Sequence, residues 1–201
     1  MTTKDTAAPT RGPARERLVN TAYELFSRRG LRDVGIDEII DRSGVAKATF
    51  YRNFRSKNAL VLAFLEEREQ RWTHGFVEAE ASRLGGSSPE ARLLAIFDVF
   101  DAWFLNRQQF DACSFINVLL EMGSEHPAGL ACIEHLANIR AVVGGWAEQA
   151  DLDDPESFAH SWHILMKGSI ISAAEGDLQA ARRAKAMASH LIEQHRPTSP
   201  A

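Results

Sequence analysis

The sequence predicts an all-α protein of about nine helices, with a small N-terminal head and a larger C-terminal helical bundle. Three observations carry this. Apolar residues recur at i, i+3 and i+4, as in Ile36, Ile39 and Ile40, which makes one buried stripe of a helix. Start and stop signals flank the stripes: Pro13, Pro89, Pro127 and Pro155 at the starts, and Gly30, Gly44 and Gly176 at the ends. Strand signals are nearly absent, with no long β-branched alternation and no Asn-Gly hairpin turn. No repeat at a solenoid period appears. The 201 residues can form one domain or two and bury a sizeable core.

Taken in order, residues 1–12 are small, polar and Pro-containing and read as a disordered arm. Pro13 opens a first helix, with Leu18, Ala22, Leu25 and Phe26 on one stripe, which stops at Gly30. A second helix carries the Ile36 stripe until Ser43-Gly44 breaks it, and Gly44 suits the left-handed backbone of a helix C-terminus. Val45 is an apolar plug before a third helix, which begins near Ala46 or Lys47. Ser56 caps a fourth, running through Leu60, Phe64, Leu65 and Trp72 to about Leu84. Ser88 and Pro89 start a fifth that is apolar on most of its circumference, as befits a helix buried in a bundle. A short helix covers 110–122, and Pro127 opens another through Trp146. Asp154-Pro155 starts the next, which ends near Gly176, and Asp177 caps the last. Residues 13–57 thus form the head and 58–197 the body.

The stretch 36–57 is organised as a helix-turn-helix, whose second helix enters the DNA major groove. At roughly 100° per residue, Phe50 and Phe54 define the inward face of that second helix. Ala48 and Arg52 point away from it with Thr49 beside them, and Tyr51 and Asn53 lie on the flanks. No acidic residue falls between Asp41 and Glu66, which suits a polyanion. Arginine can fork onto guanine, asparagine can pair with adenine, and alanine leaves room for a thymine methyl. Thr49, Tyr51 and Lys57 suit phosphate oxygens, which fix register, and Lys57 also sits at a helix N-terminus. With Lys47, the expected DNA-contacting set is Lys47, Ala48, Thr49, Tyr51, Arg52, Asn53 and Lys57.

These residues carry a family resemblance. Ala22-Tyr23-Glu24-Leu25-Phe26, Gly30, Ile36-Asp37-Glu38-Ile39-Ile40, Ser43 through Tyr51, Phe54, Ser56-Lys57 and Leu60 resemble the TetR family of transcriptional regulators. The resemblance covers about the first 60 residues and is highly specific there. The rest of the chain is similar only in length and helical character. Two positions depart from the pattern. Gly35 stands where the family usually has a capping Ser or Thr, and Ala46 then Lys47-Ala48 stand where Ser then Lys-Gly is common. The departures bear on one or two phosphate contacts. The resemblance implies a homodimer that binds a palindromic double-stranded DNA operator and acts as a repressor. It also implies a body that binds a small-molecule effector and pairs across a two-fold axis through its last two helices.

Charge is divided to match. Residues 1–57 hold 12 Lys and Arg against 7 Asp and Glu, and residues 58–201 hold 11 against 20, within a net charge of -4. A basic head on an acidic body points only the head at nucleic acid. Cys113 and Cys132 make no disulfide framework. The first residues lack the apolar core of a secretory signal, and no apolar run approaches a membrane span, so a soluble cytoplasmic protein is expected. No nucleophile elbow, phosphate loop or dinucleotide fingerprint is present, and neither an enzyme nor a cofactor is expected. His160 and His163, with His126 and His135, lack metal-site spacing, so no metal is expected.

Within the body, Phe100, Trp103, Phe104, Phe115, Trp146 and Met166 are candidates to line a cavity for an apolar or aromatic effector, with Asn117 and His163 to orient it. Core packing alone also accounts for such aromatics. Gly168 and Ser172 on the penultimate helix, and Ala184, Met187 and Leu191 on the last, are candidates for the dimer interface. Two other classes of protein fit the same chain. One is a helical small-molecule carrier with a silent head, and the other is a regulator controlled by a protein partner.

Overall fold

Nine helical rods, with no strand among the described residues, account for the regular structure in the computed structural model, which describes residues 12–197. The arm expected at residues 1–12 lies, but for Gly12, outside the described residues. The rods are α1 (Pro13–Arg29), α2 (Ile36–Ser43), α3 (Lys47–Asn53), a long α4, then α5 (Pro89–Leu105), α6 (Ser114–Met122), α7 (Pro127–Gln149), α8 (Pro155–Glu175) and α9 (Ala180–Gln194). Rod α4 is continuous but changes its hydrogen-bond register. It is α-helical over Lys57–Arg68, π-helical over Glu69–Glu78 and α-helical again over Ala79–Gly85. The middle segment is labelled π1.

Most boundaries follow from local chemistry. The Ser88 hydroxyl accepts from the Ala91 N–H at 3.2 Å, and the Asp154 carboxylate accepts from the Ser157 N–H at 3.2 Å. Each satisfies a donor that the first turn would otherwise leave unpaired. At the turn between α2 and α3, Gly44 takes φ 63°, ψ 28°, a left-handed conformation that an L side chain resists.

Two starts differ from the sequence expectation. Helix α6 begins at Ser114 and not near 110, because the preceding connection is held by a side chain. Asp111 turns back to fork the Arg68 guanidinium at 2.7 and 2.9 Å, and Ala112 beyond it adopts φ 56°. Helix α9 begins at Ala180 and not after Asp177. The Asp177 carboxylate accepts from the Gln179 N–H at 2.9 Å and from Arg183, closing a turn ahead of the helix.

The chain forms two compact units, one up to Phe64 and one from Leu65. In the head, α1, α2 and α3 bury Leu18, Ala22, Phe26, Ile39 and Phe50, and Phe64 from α4 meets Phe26 edge-on at 5.5 Å and Tyr23 at 5.8 Å. Burial of each large side chain contributes roughly 1.5–3 kcal/mol. In the body, α5 packs against the end of α4, α7, α8 and α9 and buries Leu93, Ile96, Phe97, Phe100 and Phe104. Its aromatic rings mesh with neighbours: Phe97 with Trp162 at 5.3 Å, and Trp103 with Trp72 at 5.4 Å. No helix of the described residues is long and apolar enough to cross a membrane.

Candidate nucleic-acid interface and body cavity

Helix α3 exposes the residues that the sequence turns outward. Phe50 and Phe54 are buried, whereas Lys47, Ala48, Tyr51 and Arg52 are exposed and Thr49 and Asn53 half-buried. The polar tips are pre-positioned by one another. Arg52 donates from Nη2 to the Thr49 hydroxyl at 2.7 Å, and Asn53 donates from Nδ2 to the Thr49 carbonyl at 2.8 Å. Thr49 thereby keeps its own O–H for an acceptor outside the protein, and the Asn53 amide oxygen stays presented.

Two cations differ from that simple picture. Lys47 reaches back to Asp37 on α2 at 3.2 Å, and this hydrogen bond and charge hold its ammonium above the ordinary lysine value. Lys57 donates to the Leu31 carbonyl and lies 5.9 Å from the centre of the Phe26 ring, so it ties α4 to the loop after α1. The remaining ion pairs buttress the motif. Glu38 on α2 accepts from Arg29 on α1 at 2.6 Å and lies 3.3 Å from Arg42, and Arg15 stacks over Phe54 at 5.2 Å. The part played by Asp37 and Glu38 as local counter-charges was not read from sequence.

The body holds a buried polar row where α4 changes register. Arg68 is 3% exposed and Glu69 8%, so their partners matter. Asp111 takes both arms of Arg68, and Asn138 donates to Glu69 Oε1 at 2.7 Å. His135 Nδ1 lies 2.9 Å from Glu69 Oε2, near enough for attraction but out of line for a hydrogen bond, and its ring stacks on Phe115 at 5.1 Å. Arg68 is thus matched by a carboxylate, as a buried charge must be, and Glu69 is held by a hydrogen bond.

Next to this row is a narrow cavity between π1, α5, α7 and α8. Its free space is ≈ 270 Å³ including the mouth, yet the centre of a water-sized sphere has only ≈ 10 Å³ to occupy. That is room for about one water. Trp72, Thr73 and Val77 form the π1 wall, and Ile96, Ile139, Val143, Trp146 and Met166 much of the rest. Of the residues expected to line a cavity, Trp146 and Met166 do so. Phe100, Trp103 and Phe104 instead mesh with Trp72 and Phe110 in an aromatic cluster. Phe115 packs on His135, and Asn117 faces solvent.

His163 is buried away from the cavity lining, with Nδ1 3.5 Å from Arg140 Nη1. Burial, then the charges of Lys167 and Arg140, push its imidazole down to about 3. It is therefore neutral at neutral pH and can accept from Arg140. Burial likewise raises the Cys113 thiol and pushes Cys132 up to about 12. Both stay protonated, which suits inert core thiols. Among the described residues no three His, Cys, Asp or Glu gather as a metal site would require.

On α8 and α9 the positions expected at a dimer interface divide. Gly168 and Met187 are exposed, Ser172 and Leu191 half-buried, and Ala184 is buried within the chain. Ile164 and Ile171 are exposed on α8, at 65% and 45%, and Met187 on α9 at 59%. None of the three was apparent from the pattern of small residues except Met187.

A helix-turn-helix head with a basic outward face, carried on a separate helical body, defines the class as helix-turn-helix regulators. Residues 18–64 match the family described as bacterial regulatory proteins, tetR family. Over those residues the head is similar to the DNA-binding region of TetR-family regulators. A transcriptional activator named FasR from Mycolicibacterium smegmatis is 39% identical over 69 residues, 34% of this chain and 32% of that protein. The repressor NemR of Escherichia coli strain K12 is 28% identical over 108 residues, 54% and 53% of the two chains. A solved TetR-family transcriptional regulator from Streptomyces coelicolor has the same fold, with a TM-score of 0.81 at 23% identity over 92% of this chain and 91% of the other. The chain spans about a third or less of the first curated relatives it matches.

Proposed function

We propose that the protein is a homodimeric, ligand-responsive transcriptional repressor that reads a palindromic operator through α3. The observation that carries this is the outward face of α3. Ala48, Tyr51 and Arg52 are exposed and Asn53 is held at the flank, on a helix whose other side is locked into the head by Phe50. Arg52 and Asn53 would read base edges, and Thr49, Tyr51 and Lys47 would meet phosphates. Lys57, engaged with Leu31, would present a backbone N–H at the start of α4 more readily than its ammonium.

Dimerisation is supported by the exposed Ile164, Ile171 and Met187 on the last two helices, apolar surface that a second copy would cover. A two-fold pair of heads would place two half-sites about one helical turn, roughly 34 Å, or a multiple of it apart. Control would follow from linkage. A ligand that prefers a body conformation with misplaced heads must weaken DNA binding to the same degree.

The test is selection of sites from a random duplex library with the full-length protein at two salt concentrations. A palindromic, enriched site with salt-dependent affinity supports the reading. Weak binding without enrichment, lost at the higher salt, sinks it in favour of a carrier with a silent head. Placing the selected site before a reporter promoter then separates repression from activation.

A further inference from the structure

The last two turns of α7 carry three residues that act against the helix they belong to. Gly144 and Gly145 stand inside it, where glycine loses more backbone freedom than alanine. Glu148 lies in the last turn, where the carbonyl end of the helix dipole disfavours a carboxylate. Packing among the described residues does not ask for the glycines. A Cβ on Gly144 would meet the Ala159 Cβ at 3.8 Å and the Pro155 carbonyl at 4.0 Å, ordinary contacts, and one on Gly145 would meet nothing within 4 Å. Gly129 of the same helix is the contrast, since a Cβ there would collide with the Gly123 carbonyl.

The two glycines line an open groove between α7 and α8, with ≈ 850 Å³ of free space including its mouth. The helices run antiparallel there, so that Gly144 lies against Ala159 and Arg140 against His163. Charge is graded along the groove. Glu148 and Glu156 line the end beside the α7–α8 turn, and Arg140 and His160 line it farther from the turn. None of these four side chains has an opposite charge as partner among the described residues. Those of Glu148, Glu156 and His160 make no hydrogen bond or ion pair there, and Arg140 has the neutral His163.

We propose that this groove is a contact between two copies of the chain, antiparallel about a two-fold axis at the level of Gly144 and Gly145. A two-fold there reverses the groove end for end and lays the acidic end of each copy over the basic end of the other. Arg140 then lies opposite Glu148 of the second copy and His160 opposite its Glu156, each pair occurring twice, as an isologous contact requires. The glycines let the two backbones approach closely, which brings the crossed pairs together. A second copy is the occupant because the complement of this charge order is the same order reversed. The contact uses none of Ile164, Ile171 and Met187, so it goes beyond the dimer proposed above, and the two contacts together join four chains.

Sedimentation velocity of the full-length protein over a concentration series counts the chains. Four are expected, falling to two on dilution. Gly145→Leu fills the groove and raises helix propensity. It should hold the assembly at two chains while circular dichroism stays that of the folded wild type. Glu148→Arg and Arg140→Glu should each weaken the four-chain state roughly tenfold or more, by setting like charges face to face, and both together in one chain should restore it. Ile164→Glu with Met187→Glu removes the other contact and should leave pairs joined through the groove.

Two chains that fall to one with Ile164→Glu and Met187→Glu, and ignore Gly145→Leu, overturn the groove contact and keep the α8–α9 reading. Two chains that separate with Gly145→Leu and survive the α8–α9 substitutions uphold the groove and overturn that reading. Four chains unaffected by Gly145→Leu, or a double reversal that fails to restore what the single reversals remove, overturn the groove assignment. A single chain at every concentration overturns both contacts.

Discussion

Head and body are built from the same element but use polar side chains in opposite ways. In the head, the paired charges are at the surface: Lys47 with Asp37, and Glu38 between Arg29 and Arg42. Such pairs contribute little to stability and can exchange partners when a polyanion arrives. In the body, Arg68, Glu69 and His163 are buried and matched to named neighbours. Arg68 and Glu69 cannot be released without stranding a buried charge. The head therefore keeps its chemistry for a partner and takes its stability from a small apolar core, whereas the body commits its buried Arg68 and Glu69 to its own side chains.

That contrast can be broken most decisively at Asp111. Asp111→Ala leaves the Arg68 guanidinium buried without its carboxylate, and it should destabilise the body by about 3–5 kcal/mol, read from denaturant midpoints. A change no larger than that of a surface charge would show that Arg68 escapes to solvent and that the body is less committed than described. In the head, Arg52→Ala should leave the denaturant midpoint where it is and cost about 1–3 kcal/mol of discrimination at one base pair of the selected site. A uniform loss over all sequences would reassign Arg52 to phosphate.

Acid should affect the body through His163. Its folded value, about 3, lies below the ordinary 6.5, so between these the unfolded chain binds a proton that the folded chain does not. The contribution is fully present above pH 6.5 and is lost as pH falls toward 3. Stability measured from pH 7 to 5 should therefore decline, and His163→Phe should flatten the decline; an unchanged slope would locate the acid sensitivity elsewhere. The smallest effect is expected at Lys47. Lys47→Ala should leave Tm unaltered and lower the salt slope of operator binding by about 1. An unchanged slope would mean that Lys47 stays with Asp37 in the complex.

Local chemistry explains how much of this was legible in the sequence. Caps such as Ser88 and Asp154 declare helix starts because a short side chain and its neighbouring N–H groups settle the matter among themselves. The outward face of α3 was legible because Phe50 and Phe54 fix its phase. Where phase has no such anchor, the reading weakens. Ala180, Ala181, Ala184 and Ala188 share one face of α9 at roughly 100° per residue, but alanine does not declare whether such a face meets its own chain or a second copy, and the packing turns Ala184 inward and Met187 outward. Asn117 suffered similarly, since moving the start of α6 to Ser114 depends on Asp111 reaching a residue 43 positions earlier in the chain. The cavity was illegible for a deeper reason. Whether Phe104 fills space or borders it depends on the volume of every neighbour, and a π register in α4 has no compositional signature.

Ala112 has a consequence for rates. Its φ of 56° puts an alanine in a backbone region that costs roughly 1–2 kcal/mol. The neighbouring Asp111 fork onto Arg68, a residue 43 positions earlier in the chain, helps to hold it there. A segment held by so distant a contact should order after the transition state, when α4 and α5 are already packed. Ala112→Gly should then slow unfolding while leaving the folding rate nearly untouched, a signature that stopped-flow chevrons would show and that faster folding would refute.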